Sequence, residues 1–255
     1  MLLSGGNAAG GRRVCDMTLV SHDHRFIFLK TRKTAGSSIE GYLMPWCLPP
    51  GVTLPQTEFR VSRHGAVGAI TGPKKRLRAE TPWWRPIWYH HMPAAEVRRR
   101  IGRRKFDSYV KISSVRNPFD RMVSSFHFRM SERGETFDGF DAMRQRFRRF
   151  VLDRNWENDL DIVTLDGRFI VEQMIRFENL VDDLAAVCAK LGLPFDRERL
   201  PHEKNMSASR KSYPVADYYD SETIARVRER LAWVFDNFDY PDHPAAAVSQ
   251  MNREG

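Results

Sequence analysis

The 255-residue chain is short of several things that would otherwise fix its class. Its three cysteines, Cys15, Cys47 and Cys188, are odd in number and show no metal-ligand pairing, which favours free thiols in a reducing compartment. No apolar run reaches the length needed to span a bilayer. The opening Met1-Leu2-Leu3-Ser4-Gly5-Gly6 lacks the basic-then-apolar order of a secretory leader. There is no internal repeat and no G-x-x-x-x-G-K-[ST] loop. Acidic residues are scarce between residues 60 and 105, where 13 Lys/Arg stand against only Glu80 and Glu96. That local excess of 11 accounts for more than the whole net charge of +9 and forms a basic field that would steer polyanions.

What is present describes a folded protein. Hydrophobic content of 42% and six tryptophans exclude disorder as the default, and the length supports one substantial core. We read a single domain over residues 21–242, with a flexible Gly-rich start at 1–20 and a flexible tail at 243–255. The domain is organised around Arg25-Phe26-Ile27-Phe28-Leu29-Lys30-Thr31-Arg32-Lys33-Thr34-Ala35-Gly36-Ser37-Ser38-Ile39-Glu40. A short apolar run predicts a buried strand, a small-residue turn interrupts it, and a helix follows through Tyr42 and Leu43. Such a turn aims backbone N–H groups and the positive end of a helix dipole at one spot, where an anion binds readily. Lys33 adds a full charge, and Thr34, Ser37 and Ser38 add hydroxyl donors. The same residues also suit ordinary turn chemistry.

A second stretch repeats the pattern. Tyr109-Val110-Lys111-Ile112-Ser113-Ser114-Val115 predicts a strand, Asn117-Pro118 ends it, and Asp120 opens a helix carrying Met122, Val123 and Phe126. Arg116 stands at the strand's carboxyl end and Ser124 about two turns along the helix. Both suit a second anion in the crevice above an α/β sheet.

Together the two stretches carry a family resemblance. Lys33-Thr34-Ala35-Gly36-Ser37-Ser38 resembles the 5′-phosphosulfate loop of sulfotransferases that use 3′-phosphoadenosine 5′-phosphosulfate (PAPS). Val115-Arg116-Asn117-Pro118-Phe119-Asp120-Arg121, with Ser124, resembles their 3′-phosphate motif. The likeness spans roughly residues 22–240 and is nearest to the Golgi-type carbohydrate sulfotransferases, including heparan and chondroitin enzymes, and their bacterial relatives. It departs at Arg32, where many members have proline.

The resemblance implies an α/β, P-loop-like three-layer fold with a central, mostly parallel sheet flanked by helices. It implies transfer of a sulfuryl group from PAPS to a hydroxyl, or less readily an amine, of a carbohydrate or glycoconjugate acceptor, leaving PAP, with no metal. The 5′ side falls to Lys33, Thr34, Ala35, Gly36, Ser37 and Ser38, the 3′-phosphate to Arg116 and Ser124. A loop at 205–213 would fold over the nucleotide and bring Arg210 and Lys211 to the phosphates. The family's catalytic histidine corresponds to His91, just before a helix opened by Pro93, with adjacent His90 the competitor. Trp83, Trp84 and Trp88 suit either sugar stacking or the core. Because the animal relatives are Golgi membrane proteins, the absence of an anchor leads to the expectation of a bacterial cytoplasmic enzyme. The arginine excess favours an anionic acceptor.

Two other classes compete. A P-loop-like phosphotransferase would need its lysine after the glycine and an acid for Mg²⁺, and neither stands in place. A non-catalytic polyanion-binding protein fits the basic field but leaves both anion motifs unexplained, and no nucleic-acid-binding pattern is recognised.

Overall fold

Apolar residues crowd Leu19-Val20-Ser21 and Phe26-Ile27-Phe28-Leu29, and both segments are fully buried strands, β1 (Leu19–Ser21) and β2 (Phe26–Leu29). Only residues 22–25 separate them, too few for anything but an antiparallel return. This is a computed structural model, and it describes residues 18–54, 60–68, 88–153, 156–200 and 213–245. After β2 come α1 (Gly36–Leu43), β3 (Arg60–Val61), β4 (Gly65–Val67), α2 (Ala94–Ile101), α3 (Arg103–Ser108), β5 (Val110–Val115) and α4 (Pro118–Arg133). They are followed by α5 (Gly139–Leu152), α6 (Leu160–Val163), the small hairpin β6 (Thr164–Leu165) and β7 (Arg168–Phe169), β8 (Gln173–Arg176), α7 (Leu180–Leu191), α8 (Ser221–Arg230) and α9 (Ala232–Asn237).

Among the described residues the central sheet runs β3-β4-β1-β2-β5-β8. Here the expectation of a mostly parallel sheet is corrected. The β2–β5 and β5–β8 pairings are parallel, whereas β1–β2, β1–β4 and β3–β4 are antiparallel. The reason is connection length. Parallel neighbours are joined through helical crossovers, while the turns at 22–25 and 62–64 permit only hairpins. β1 lies in the Gly-rich start that composition reads as frayed, yet Thr18, Leu19 and Val20 are wholly buried.

Strand alternation builds a core on each face. Phe26 and Phe28 join Ile112, Ile175, Ile39, Tyr42, Leu184 and Val187, which packs α1 and α7 on one side. Ile27 and Leu29 join Val97, Phe119, Val123, Phe126, Phe147 and Val227, which packs α2, α4, α5 and α8 on the other. Each fully buried large side chain contributes about 1.5–3 kcal/mol. Phe126 on α4 meets Phe147 and Phe150 of α5 at ring-centroid distances of 5.4 and 5.8 Å, which packs these two helices against each other. The closing helical stretch is two helices, α8 and α9, broken at Leu231, whose backbone (φ −111°, ψ 25°) leaves the helical region. Among the described residues no helix is long and apolar enough to cross a membrane.

Gly65 permits the closest backbone approach in this sheet. A Cβ there would lie 2.1 Å from the Val20 carbonyl oxygen and 2.7 Å from that of Cys47, both rigid main-chain atoms. Gly65→Ala should therefore cost about 1–3 kcal/mol, read as a lowered Tm in a thermal melt. An unchanged melt would refute the close approach.

Candidate functional site

Beyond β2 the chain stays buried through Lys30 and Thr31 and then turns. Lys33 (φ 64°) and Ala35 (φ 61°) are both left-handed, a conformation that non-glycine residues adopt only when their surroundings hold them. Those surroundings are hydrogen bonds to β5. The Ser113 hydroxyl donates to the Leu29 carbonyl (2.6 Å), the Thr31 hydroxyl bonds the Ser114 carbonyl, and the Thr34 and Ser114 hydroxyls lie 2.7 Å apart. Thr34, read from the sequence as a phosphate donor, is thus a buried stitch between loop and sheet. α1 begins at Gly36 with Ala35, which makes no side-chain cap bond, as its N-cap. The Ser38 N–H donates back to the Ala35 carbonyl at 3.0 Å, and a helix start with its N–H groups directed at a turn is a place where anions are attracted.

Lys30 carries a role that its strand-like neighbourhood hides. Its buried ammonium donates to Glu40 Oε2 (2.7 Å) and Ser37 Oγ (3.0 Å), crossing directly over Gly36. A Cβ on Gly36 would fall 2.5 Å from Lys30 Cε, so the glycine makes room for this lysine. Glu40 one turn into α1 is the partner that the sequence offered, without any local pattern to pair it with Lys30.

The second motif closes against the first. Asn117 caps α4 by accepting from the N–H groups of Phe119 (3.0 Å) and Asp120 (3.3 Å), so this helix start is satisfied internally. Just before it Arg116 is buried, stacks 3.8 Å from the Phe177 ring centroid and pairs with Asp120 (Nε to Oδ2, 2.5 Å). Arg116 Nη1 also donates to the Lys33 carbonyl at 3.3 Å. Lys33 Nζ lies 4.1 Å from the ring centroid of Phe128. Asp120, Ser124 and Phe128 recur every four residues along one stripe of α4. Half-buried Ser124 therefore stands between the Arg116 end and the Lys33 end of a shared face.

His91 lies beside the loop. Its Nδ1 is 2.9 Å from the Lys30 carbonyl oxygen. A carbonyl only accepts, so Nδ1 carries a hydrogen, and in a neutral imidazole of that tautomer Nε2 is the nitrogen with the lone pair. The His90 ring meets it edge-on at 5.1 Å. Of the other expected residues, Ser38 is buried and Arg210, Lys211, Trp83 and Trp84 lie outside the described residues. Trp88 is buried in the core. Part of the basic run on α2 and α3 is ion-paired: Arg99 and Arg100 with Glu96, Arg98 with Asp166, and Arg103 with Asp107.

Asp159 is the site residue that sequence reading missed. Fully buried, it accepts from the Arg32 backbone N–H (2.8 Å) and bonds the guanidiniums of Arg32 and Arg121. Burial alone would push its carboxyl up, but Arg121 and Arg32, with His91 nearby, outweigh that and hold it below the ordinary 3.8. No signal links Asp159 to Arg32 in a single sequence, since 127 positions separate them.

The class of protein defined here is an α/β protein with two strand–turn–helix units side by side at the carboxyl ends of neighbouring parallel strands, where open α/β sheets carry their ligand sites. The chain belongs to the sulfotransferase family, whose model matches residues 16–241, and sulfuryl transfer to an acceptor is the activity of that family. It is also similar to an uncharacterized protein of Archaeoglobus fulgidus, 33% identical over 110 residues, which cover 40% of this chain and 84% of that protein. No solved structure matches the chain.

The lowered Asp159 carboxyl predicts an acid-sensitive contribution to stability. Its ion pairing is fully present above the unfolded value of 3.8 and is lost as pH falls through the lower folded value. Asp159→Asn should melt below wild type at neutral pH, with the gap closing as pH drops beneath 3.8. A gap that stays constant across that range would show that the carboxylate charge is not what stabilises.

Proposed function

We propose that this sulfotransferase moves the sulfuryl group of PAPS to a hydroxyl of a carbohydrate-type acceptor. Supporting the reading, family members generally use PAPS. The observation that carries it is the meeting of Arg116 with the Lys33 carbonyl above one stripe of α4. A nucleotide with phosphates at both its 5′ and 3′ ends requires two cationic pockets at a fixed separation within one hollow. The donor set suits it: an ammonium, a helix start with no capping side chain at Ala35, a serine hydroxyl and a guanidinium.

In this reading Lys33 and the N–H groups of Gly36 and Ser37 hold the 5′ side, where charge develops on the departing oxygen, the Ser38 N–H being engaged by the Ala35 carbonyl. Preorganised donors of that kind act without reorganising, and losing one costs about 2.7–4 kcal/mol of barrier. Arg116 and Ser124 hold the 3′-phosphate. The five N–H donors of a guanidinium let Arg116 serve Asp120 and an anion together. PAPS, when bound, supplies the activated sulfuryl group. His91, its Nδ1–H directed at the Lys30 carbonyl, takes the acceptor proton at Nε2, a contribution of about 10²–10⁴-fold. The Lys30–Glu40 pair beneath the loop keeps Ser37 in place.

Lys33→Ala and Arg116→Ala should each abolish sulfate transfer in protein whose circular dichroism is native. Full activity in either folded variant would sink the assignment. His91→Ala should lose turnover by about 10²–10⁴-fold while still binding PAP, and His90→Ala should be mild. The opposite order would move the base to His90. In a nucleotide thermal-shift screen PAP should stabilise the protein, whereas stabilisation by ATP with Mg²⁺ alone would favour a phosphotransferase. A sulfate-labelling assay over neutral and anionic saccharides then identifies the acceptor.

A further inference from the structure

We propose that Asp159 is a positioning residue that holds the phosphate loop in its anion-binding shape, gripping it through Arg32 and anchoring it to α4 through Arg121. The proposal rests on reading the turn before α1 as a phosphate cradle. It adds a residue from a distant part of the chain that touches no ligand.

Three observations carry it. The loop holds two non-glycine residues in the left-handed region, Lys33 and Ala35, and such a conformation persists only where the surroundings over-determine it. Thr31 and Thr34 tie the loop to β5 from one side. On the other side the backbone N–H of Arg32, the residue preceding Lys33, donates to Asp159 Oδ2 at 2.8 Å, and the Arg32 guanidinium bonds Asp159 Oδ1. The grip is therefore on the main chain as well as on a side chain. Asp159 is itself immobilised, because Arg121 of α4 bonds the same Oδ2 and is as buried as its partner.

Charge makes the arrangement directional. A buried carboxylate is tolerated only when it is paired and hydrogen-bonded, and removing one partner of such a set is far costlier than the set is worth. Asp159 therefore cannot release Arg32 without leaving a buried charge short of donors. α4 bears Ser124 and is preceded by Arg116, so one carboxylate joins the loop of the first pocket to the helix of the second. Asp159 is left-handed too (φ 60°) and immediately precedes α6. The Asp159 side chain thus reaches the loop from a turn that is itself fixed at a helix start.

The test compares wild type, Asp159→Asn, Arg32→Ala and the double variant by amide hydrogen exchange without nucleotide and by PAP affinity. Asn keeps the shape of Asp159 but presents an NH₂ to one guanidinium. Exchange across residues 32–39 should rise by about tenfold in Asp159→Asn, with α8 unaffected, and PAP should bind about tenfold more weakly. Arg32→Ala retains the backbone N–H and should show a smaller rise. Adding it to Asp159→Asn should change little further, since both break one link. A merely structural Asp159 would lower Tm while leaving loop exchange and the PAP affinity of folded protein at wild-type values, and that result overturns the proposal. Should Asp159→Asn fail to fold, Arg32→Ala decides alone, because its side chain is 30% exposed and the carboxylate keeps both Arg121 and the backbone N–H of residue 32. Unchanged loop exchange in that variant also overturns the clamp. If wild type binds no PAP but loop exchange still responds to Asp159→Asn, the clamp stands and the nucleotide reading falls.

Discussion

Everything at the site depends on the parallel pairing of β2 with β5. Register from Phe26 opposite Val110 to Leu29 opposite Ser113 sets the carboxyl ends of two strands side by side. Each strand then leads to a basic residue, Lys33 four residues beyond β2 and Arg116 directly after β5, and Arg116 meets the Lys33 carbonyl. Side chains period by two along a strand, so a slip of one residue would turn Ser113 and Ser114 to opposite faces. The hydroxyl bonds from Ser113 to Leu29 and from Thr31 to Ser114 would then be lost, and with them the support of the left-handed turn.

Around that pairing the protein places charge where water is excluded, and it does so in compensated sets. Lys30 has Glu40, Arg116 has Asp120, and Arg121 with Arg32 has Asp159. Taken singly, such pairs are poor sources of stability, because desolvation offsets much of the attraction. Their geometry nevertheless is useful to an anion site. Each fixes a cation or a hydroxyl at a definite point, so that little reorganisation remains when charge develops there. The apolar clusters on the two sheet faces supply the stability that these sets do not.

Local chemistry explains which parts of this were legible beforehand. The strand–turn–helix at Phe26 to Leu43 and the Asn-Pro start of α4 depend on apolar runs, turn residues and a cap close together in the chain. The end of α7 at left-handed Gly192 is equally local. The antiparallel half of the sheet was not legible. β1 is three residues long and follows a Gly-rich start, and β3 and β4 sit among prolines and glycines with too little alternation to register as strands. Lys30 was hidden for a related reason, since a lysine at a strand end normally reads as exposed.

By itself the sequence determined the two strand–turn–helix units and which cations and hydroxyls stand at their turns, because those features arise from contiguous residues and backbone hydrogen bonding. Tertiary structure alone decided which of those groups face the crevice and which are consumed in holding it. Thr34 turned inward to Ser114, Asn117 closed the start of α4, and Asp159 arrived from 127 positions away to hold Arg32. The physical reason is that a buried donor or acceptor takes whatever partner the packed fold brings within about 3 Å, and distance along the chain carries no record of that meeting.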